Sequence, residues 1–162
     1  MKITTPRLIV RSLAEKDRMA MQRILADFEN SDVYMYDYKA PTDINIIRAL
    51  IPFWVKSRRY YAICLKKTGD IAGFLSMDDN ELGFTMKSEH KRKGYCYEAA
   101  SALLSYMYNK KDMDHFIAQA AADNIASVKL LEKLGFRPET LIDVQFRENM
   151  SPVECINFVL DI

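Results

Sequence analysis

The residues best suited to chemistry lie in one stretch, ELGFTMKSEHKRKGYCYEAASALL, residues 81–104. A strand pattern from Glu81 to Met86 leads into Lys91, Arg92 and Lys93, then Gly94, then a helical pattern. A helix start exposes unpaired N–H groups at the positive end of the helix dipole, so it favours an anion. Three cations add to that field, and Gly94 lets a ligand approach the backbone closely. The stretch reads as a phosphate-binding turn; its simpler reading is a solvated basic loop capping a helix. It has neither the GxxxxGK[ST] spacing of a nucleotide loop nor the GxGxxG dinucleotide fingerprint. A second segment, QAAADNIASVKLLEKLGFRP (119–138), sets Asn124 and Ser127 three residues apart on one helix face. Asn124 there is equally a helix cap. Cys96 lies among positive neighbours, a setting that would lower a thiol pKa. Tyr34, Tyr36 and Tyr38 alternate in a polar segment, as substrate contacts or as ordinary packing.

The elements that must position these groups follow from periodicity. Arg7 to Leu13 predicts a first strand, and Ser12 with Glu15 a capping box. Met21, Ile24, Leu25 and Phe28 define a helix face. Residues 29–40 read as a loop. Thr42 is placed to cap a second helix carrying Ile47, Leu50, Ile51 and Trp54, with Trp54 in the core and Pro52 as a kink. Tyr60 to Leu65, Ile71 to Met77 and Glu81 to Met86 form an antiparallel meander joined by short turns. A helix from Tyr95 to Asn109, a strand from His115 to Ala120 and a helix from Ile125 to Leu134 follow, the last ended by Gly135. Two late strands fall at Ile142 to Arg147 and Cys155 to Leu160. The strand-helix-strand unit over 81–120 favours one parallel pair. The fold class is α/β: a mixed, mostly antiparallel sheet with helices on both faces.

Composition excludes several alternatives. The chain has 162 residues, 49% hydrophobic and 28% charged, as expected for one globular domain over residues 1–162. Its 23 basic and 22 acidic side chains leave a formal net charge of +1. A dedicated nucleic-acid binder would show a basic excess, so no nucleic-acid partner is expected. No apolar run reaches the roughly 20 residues of a membrane span, and the N-terminus lacks signal-peptide character. Three unpatterned cysteines, Cys64, Cys96 and Cys155, suggest reduced thiols and a cytoplasmic location. With two histidines, His90 and His115, no metal site is expected. No Ser-His-Asp or Cys-His nucleophile is spelled out.

Taken together, these segments resemble the GNAT superfamily of acetyl-CoA-dependent N-acyltransferases over nearly the whole chain. TPRLIVRSL (5–13) is similar to the opening strand of the ribosomal-protein N-acetyltransferase branch. HKRKGYCYEA (90–99) resembles the family pyrophosphate loop [QR]xxGx[GA], with Lys91 in its first place, Gly94 in its fourth and Cys96 in its sixth. Lysine keeps the charge of the first place without the flat guanidinium fork. DNIASVKLLEKLGF (123–136) resembles the downstream family segment NxxSxxxLEKLGF.

The resemblance implies the acyl-CoA N-acyltransferase fold, with the strands at 81–86 and 115–120 splayed to admit acetyl-CoA. Backbone groups of Phe84, Thr85 and Met86 would pair with the pantetheine arm. Lys91, Arg92, Lys93, Gly94, Tyr95, Cys96 and Tyr97 would hold the pyrophosphate. Asn124 and Ser127 would face the thioester end, and Tyr34, Tyr36 and Tyr38 the acceptor pocket. The resemblance implies direct acetyl transfer to a primary amine. Glu81 at the strand start is either the candidate base or an exposed strand-end carboxylate, and Ser127 either hydrogen-bonds the sulfur or orients the cofactor. The tyrosine many members carry on the last helix is here Leu131. The branch favours a protein or peptide α-amine. The alternatives are a small amine (polyamine, amino acid or antibiotic) or a non-catalytic CoA-binding module. A monomer or homodimer is expected.

Overall fold

The computed structural model describes residues 1–111 and 113–162. Its elements run β1 (Lys2–Thr4), β2 (Leu8–Ser12), α1 (Arg18–Glu29), α2 (Ile44–Ser57), β3 (Tyr60–Leu65), β4 (Ile71–Asp78), β5 (Glu81–Met86), α3 (Tyr95–Lys111), β6 (His115–Ala121), α4 (Ile125–Lys133), β7 (Arg137–Val144) and β8 (Val153–Asp161). The sheet order is β1-β2-β3-β4-β5-β6-β8-β7. Every neighbouring pair is antiparallel except β5 and β6. This is the mixed sheet expected from the sequence, with the parallel pair where the strand-helix-strand unit requires it.

Side-chain alternation divides the core by sheet face. Val10, Ile63, Leu75, Leu82, Met86, Phe116, Ala118 and Phe158 pack with Ala99, Leu103 and Leu131 of α3 and α4. Phe74 packs on the opposite face with Met21, Ile24 and Leu25 of α1 and Ile47 and Ile51 of α2. In β5, Leu82, Phe84 and Met86 therefore face α3. Glu81, Gly83 and Thr85 face the α1/α2 side, as the pairing of Thr85 with Phe74 requires.

Several local expectations are corrected. The helix-entry residue is Asp17 rather than Ser12. The Asp17 carboxylate is 4% exposed, takes two bonds from the Arg11 guanidinium at 2.7 and 2.8 Å, and accepts the Ala14 N–H at 2.9 Å. Ser12 is still paired with Tyr61 in β2, too early to cap anything. Asp43, not Thr42, caps α2 by accepting from the N–H groups of Asn45 and Ile46. Pro52 sits inside α2 without ending it; Pro52 is exposed, so the carbonyl it leaves without a helical donor can reach water. Trp54 is half-buried at the margin of the α1/α2 core, its ring 6.0 Å from that of Tyr60. The strand expected at Ile142 to Arg147 is instead Arg137–Val144. Gly135, at φ +96°, turns the chain out of α4 directly into the ladder with β8, and residues 145–147 leave the sheet for another contact. The short strand β1 had no signal in the sequence pattern.

Asp17→Ala leaves Arg11 as an unpaired charge and should lower stability by about 3 kcal/mol, read as a reduced urea midpoint at unchanged slope.

Candidate active site

The strands at the centre of the sheet part after one contact. β5 and β6 are joined by the single bridge Glu81–Ile117 among the described residues. By contrast β5 pairs with β4 along its whole length, from Glu81 with Asp78 to Met86 with Gly73. β6 likewise pairs with β8 from His115 to Ala121. Both strands are thus held by their outer neighbours and separate only from each other.

The ladder decides which backbone groups line the gap. The Lys87 N–H donates to the Ala72 carbonyl at 2.9 Å. Antiparallel alternation then turns Thr85 toward β4 and Phe84 and Met86 toward β6. The peptide groups of Phe84 and Met86 face the gap; those of Thr85 do not.

Beyond Met86 the chain forms a tight turn (Ser88–His90) and enters α3 at Tyr95. Arg92 and Gly94 both adopt positive φ, +60° and +76°. The Gly94 carbonyl accepts the first helical bond, from the Glu98 N–H at 3.1 Å. The N–H groups of Tyr95, Cys96 and Tyr97 are therefore first-turn donors without helical acceptors. Lys91 is half-buried, while Arg92 and Lys93 are exposed. A groove of about 610 Å³ borders this helix start, lined in part by Arg7, Gly94, Tyr97, Ser101 and Lys133. The Lys133 ammonium stands 4.4 Å from the Tyr97 ring centre. Another groove, about 510 Å³ between α1 and the β3–β4 turn, reaches Lys87 and His90 but not the parted strands.

Two anchors that sequence reasoning missed hold this loop. On one side Arg7 donates to Glu98 Oε2 at 2.6 Å and to the Lys93 carbonyl at 2.8 Å. Its guanidinium lies 4.7 Å from the Tyr95 ring centre. The Thr5 hydroxyl and the Arg7 N–H both donate to Glu98 Oε1. Burial works to raise the Glu98 pKa, but these donors leave it lowered overall. On the other side the Asp27 carboxylate of α1 accepts from both the N–H and the hydroxyl of Ser88. The signal for the first anchor was Thr5-Pro6-Arg7 preceding β2, legible as a motif but not as a clamp.

Cys96 is not an activated thiol. Burial pushes its pKa up to about 12, against the lowering its cationic neighbours suggested. Asn124 caps α4, its Oδ1 accepting the Ser127 N–H at 3.4 Å, so the cap assignment applies to its oxygen. Leu131 is fully buried in the α3/α4 core. Glu81 is exposed and sits where β5 and β6 meet.

Residues 34–36 form a single tight turn within the loop expected over 29–40. The segment is stapled by Arg147, which donates to both oxygens of Glu29 at 3.0 and 2.9 Å and to the carbonyls of Tyr34 and Asp37. The Arg147 and Glu29 side chains are 12% and 17% exposed. The Tyr38 ring meets Phe146 edge-on at 5.1 Å. Burial raises the Asp37 pKa, opposed by the Tyr38 N–H and by Arg147. Burial, then the charges of Asp143 and Asp37, also raise the Cys155 thiol. Since Cys155 pairs with Ala121 at the open end of β6, the segment is brought to the wide end of the gap.

A mixed sheet parted at its one parallel pair, with an anion-ready helix start immediately after the parting strand, is the acyl-CoA N-acyltransferase fold. The chain superimposes on a GNAT-family acetyltransferase from Bacillus anthracis with a TM-score of 0.87 at 21% identity, covering 99% of this chain and 98% of that one. It superimposes on RimL, a ribosomal L7/L12 alpha-N-protein acetyltransferase in complex with coenzyme A, with a TM-score of 0.86 at 15% identity, covering 100% and 98%. Over 68 residues, 40% of each chain, it is 41% identical to the uncharacterized N-acetyltransferase YjdG of Bacillus subtilis (strain 168). Residues 7–137 match the family model of the acetyltransferase (GNAT) domain. The chain belongs to the GNAT acetyltransferase family.

Two outcomes test the site chemistry. Cys96→Ala should retain acetyl transfer, because a thiol with a pKa near 12 holds almost no thiolate at neutral pH. Arg147→Met should cost about 2–3 kcal/mol at neutral pH by stranding Glu29. Burial favours the neutral Glu29, yet Arg147 and the Ala40 N–H hold its pKa below 4.5. That stability is present in full above the unfolded value and is lost as pH falls through the lowered folded one. Thermal melts across the acid range should show the deficit of Arg147→Met shrinking as pH drops.

Proposed function

We propose that this protein transfers the acetyl group of acetyl-CoA directly to the α-amine of a protein or peptide N-terminus. The carrying observation is the gap itself. The unpaired peptide groups of Phe84 and Met86 face it, and the helix start at Tyr95 to Tyr97 stands one turn beyond. One continuous segment can then bind the amide-bearing arm of coenzyme A as an added strand and the diphosphate at the helix. Lys91, Arg92 and Lys93 supply charge, and Gly94 supplies clearance. The Asn124 amide nitrogen and the Ser127 hydroxyl face the thioester end.

The acceptor approaches from the α1/α2 face, where Glu81, Gly83 and the Tyr34, Tyr36 and Tyr38 segment lie. The neutral amine nitrogen attacks the thioester carbonyl, the C–N bond forms, the C–S bond breaks, and the amine proton passes to Glu81 or to water. A backbone N–H at the gap polarises the carbonyl, a contribution on the order of a hundredfold in rate. The released thiolate takes up a proton from water, with the Ser127 hydroxyl donating a hydrogen bond to the sulfur. An α-amine near pKa 8 is roughly a tenth neutral at pH 7, whereas a lysine amine costs about 3 kcal/mol more to deprotonate. A site with one exposed carboxylate suits the α-amine. The likeness to an α-N-protein acetyltransferase supports the same acceptor.

Acetyl-CoA at a hundred times Kd should raise Tm by roughly 5–10 °C. Gly94→Glu should abolish that rise, because it sets a carboxylate in the anion loop. Its own melting point should also fall, since φ of +76° strains any side chain by about 1–2 kcal/mol. A full ligand-induced shift in this variant would place the diphosphate elsewhere. Acetylation of small amines but of no peptide would overturn the acceptor assignment.

A further inference from the structure

Among the described residues, α1 and α2 pack on the β3–β5 half of their face of the sheet. Past the gap, the same face carries a row of polar side chains across three strands. Gln119 Nε2 donates to Asn157 Oδ1 at 2.9 Å, and Asn157 Nδ2 donates to Thr140 Oγ1 at 2.9 Å. The three are register partners on β6, β8 and β7. Phe116, Ala118 and Ala120 point into the α3/α4 core, so Gln119 points to the opposite face. It lies two residues beyond Ile117, the bridge to β5. Across the gap at that level stands Gly83, which has no side chain to close the opening. Gln119 therefore borders the parting on the face that Glu81 occupies.

Gln119 and Thr140 are exposed and Asn157 is half-buried, and an amide-to-amide contact this open to water contributes little to folding. Its effect is on orientation. With Nε2 committed to Asn157, the Gln119 amide is fixed and its Oε1 has no donor among the described residues. It presents a held carbonyl acceptor at the mouth of the gap.

We propose that Gln119 is a specificity-determining residue whose Oε1 accepts a hydrogen bond from the first peptide N–H of the acceptor chain. Asn157 and Thr140 are positioning residues that hold the amide. The assignment rests on the acetyl-transfer reading above and narrows its acceptor to a peptide, because a peptide offers an N–H beyond its amine and a simple amine does not.

The test is steady-state kinetics of the full chain with acetyl-CoA and two acceptors: a short peptide, and the methyl ester of its first residue, in which oxygen replaces that N–H. Gln119→Leu should raise KM for the peptide roughly five- to tenfold, leaving kcat, KM for acetyl-CoA and KM for the ester nearly unchanged. Gln119→Glu keeps an acceptor oxygen and should recover most of the peptide KM. Asn157→Leu should fall between wild type and Gln119→Leu, without loss of thermal stability. An unchanged peptide KM in Gln119→Leu, with the wild type active on the peptide, overturns the role of Gln119 alone. Equal losses on peptide and ester overturn the N–H assignment. A wild type that acetylates neither acceptor overturns the transfer reading and this inference with it.

Discussion

Backbone N–H and C=O groups inside a sheet must find partners, and this molecule is built around a place where two strands leave theirs unpaired. The parting of β5 from β6 is not fraying. Each strand is fully laddered on its outer side, β5 to β4 and β6 to β8, and each packs apolar side chains against α3 and α4. The two halves of the sheet meet at Glu81 and Ile117. The exposed peptide groups of Phe84 and Met86 are therefore presented in strand geometry, ready for an extended ligand that carries its own amides.

The loop beyond β5 obeys a second constraint, of charge. Arg7, Lys91, Arg92 and Lys93 crowd the positive end of the α3 dipole, an arrangement unfavourable without an anion. Glu98 offsets part of that field, and its bonds to Arg7 and Thr5 tie the helix start to the segment ahead of β2. Asp27 ties the other end of the loop to α1. The positive φ values at Arg92 and Gly94 are thus held from both sheet faces rather than by the loop's own sequence. An incoming diphosphate would meet donors already in place, which is the advantage of preorganisation.

The fold was legible where periodicity and punctuation agree: the meander from Tyr60 to Met86, the α3 pattern and the Gly135 stop. It was less legible where long-range partners decide. Arg147 reads as the end of a strand until Glu29, 118 positions earlier, draws it away. Asp17 accepts the Ala14 N–H while held by Arg11, whose position depends on β2 being in the sheet. The tyrosine-bearing segment reads as a loop, but not which loop: its shape comes from contacts with the distant β7–β8 loop through Arg147 and Phe146. The basic, glycine-bearing turn ahead of α3 was visible from residue types alone. The Gln119–Asn157–Thr140 row was not, since only the register of β6, β8 and β7 brings three distant polar residues into line.

The residue at position 131 shows how the chemistry tolerates a departure. A buried leucine cannot deliver a proton, so protonation of the leaving sulfur has no tyrosine to depend on. A thiol is a far stronger acid than an alcohol or an amine, so it can leave as the thiolate, and losing an acid there costs far less than it would for an amine or alkoxide leaving group. The harder requirement is a neutral nucleophile. In the proposed reaction that requirement falls on Glu81 and on the acceptor's own pKa, and it is least for an α-amine. On the proposed reading, a site without a dedicated acid, with an exposed carboxylate and an amide carbonyl beside the opening, would suit an acceptor that arrives partly deprotonated and is steered by its backbone.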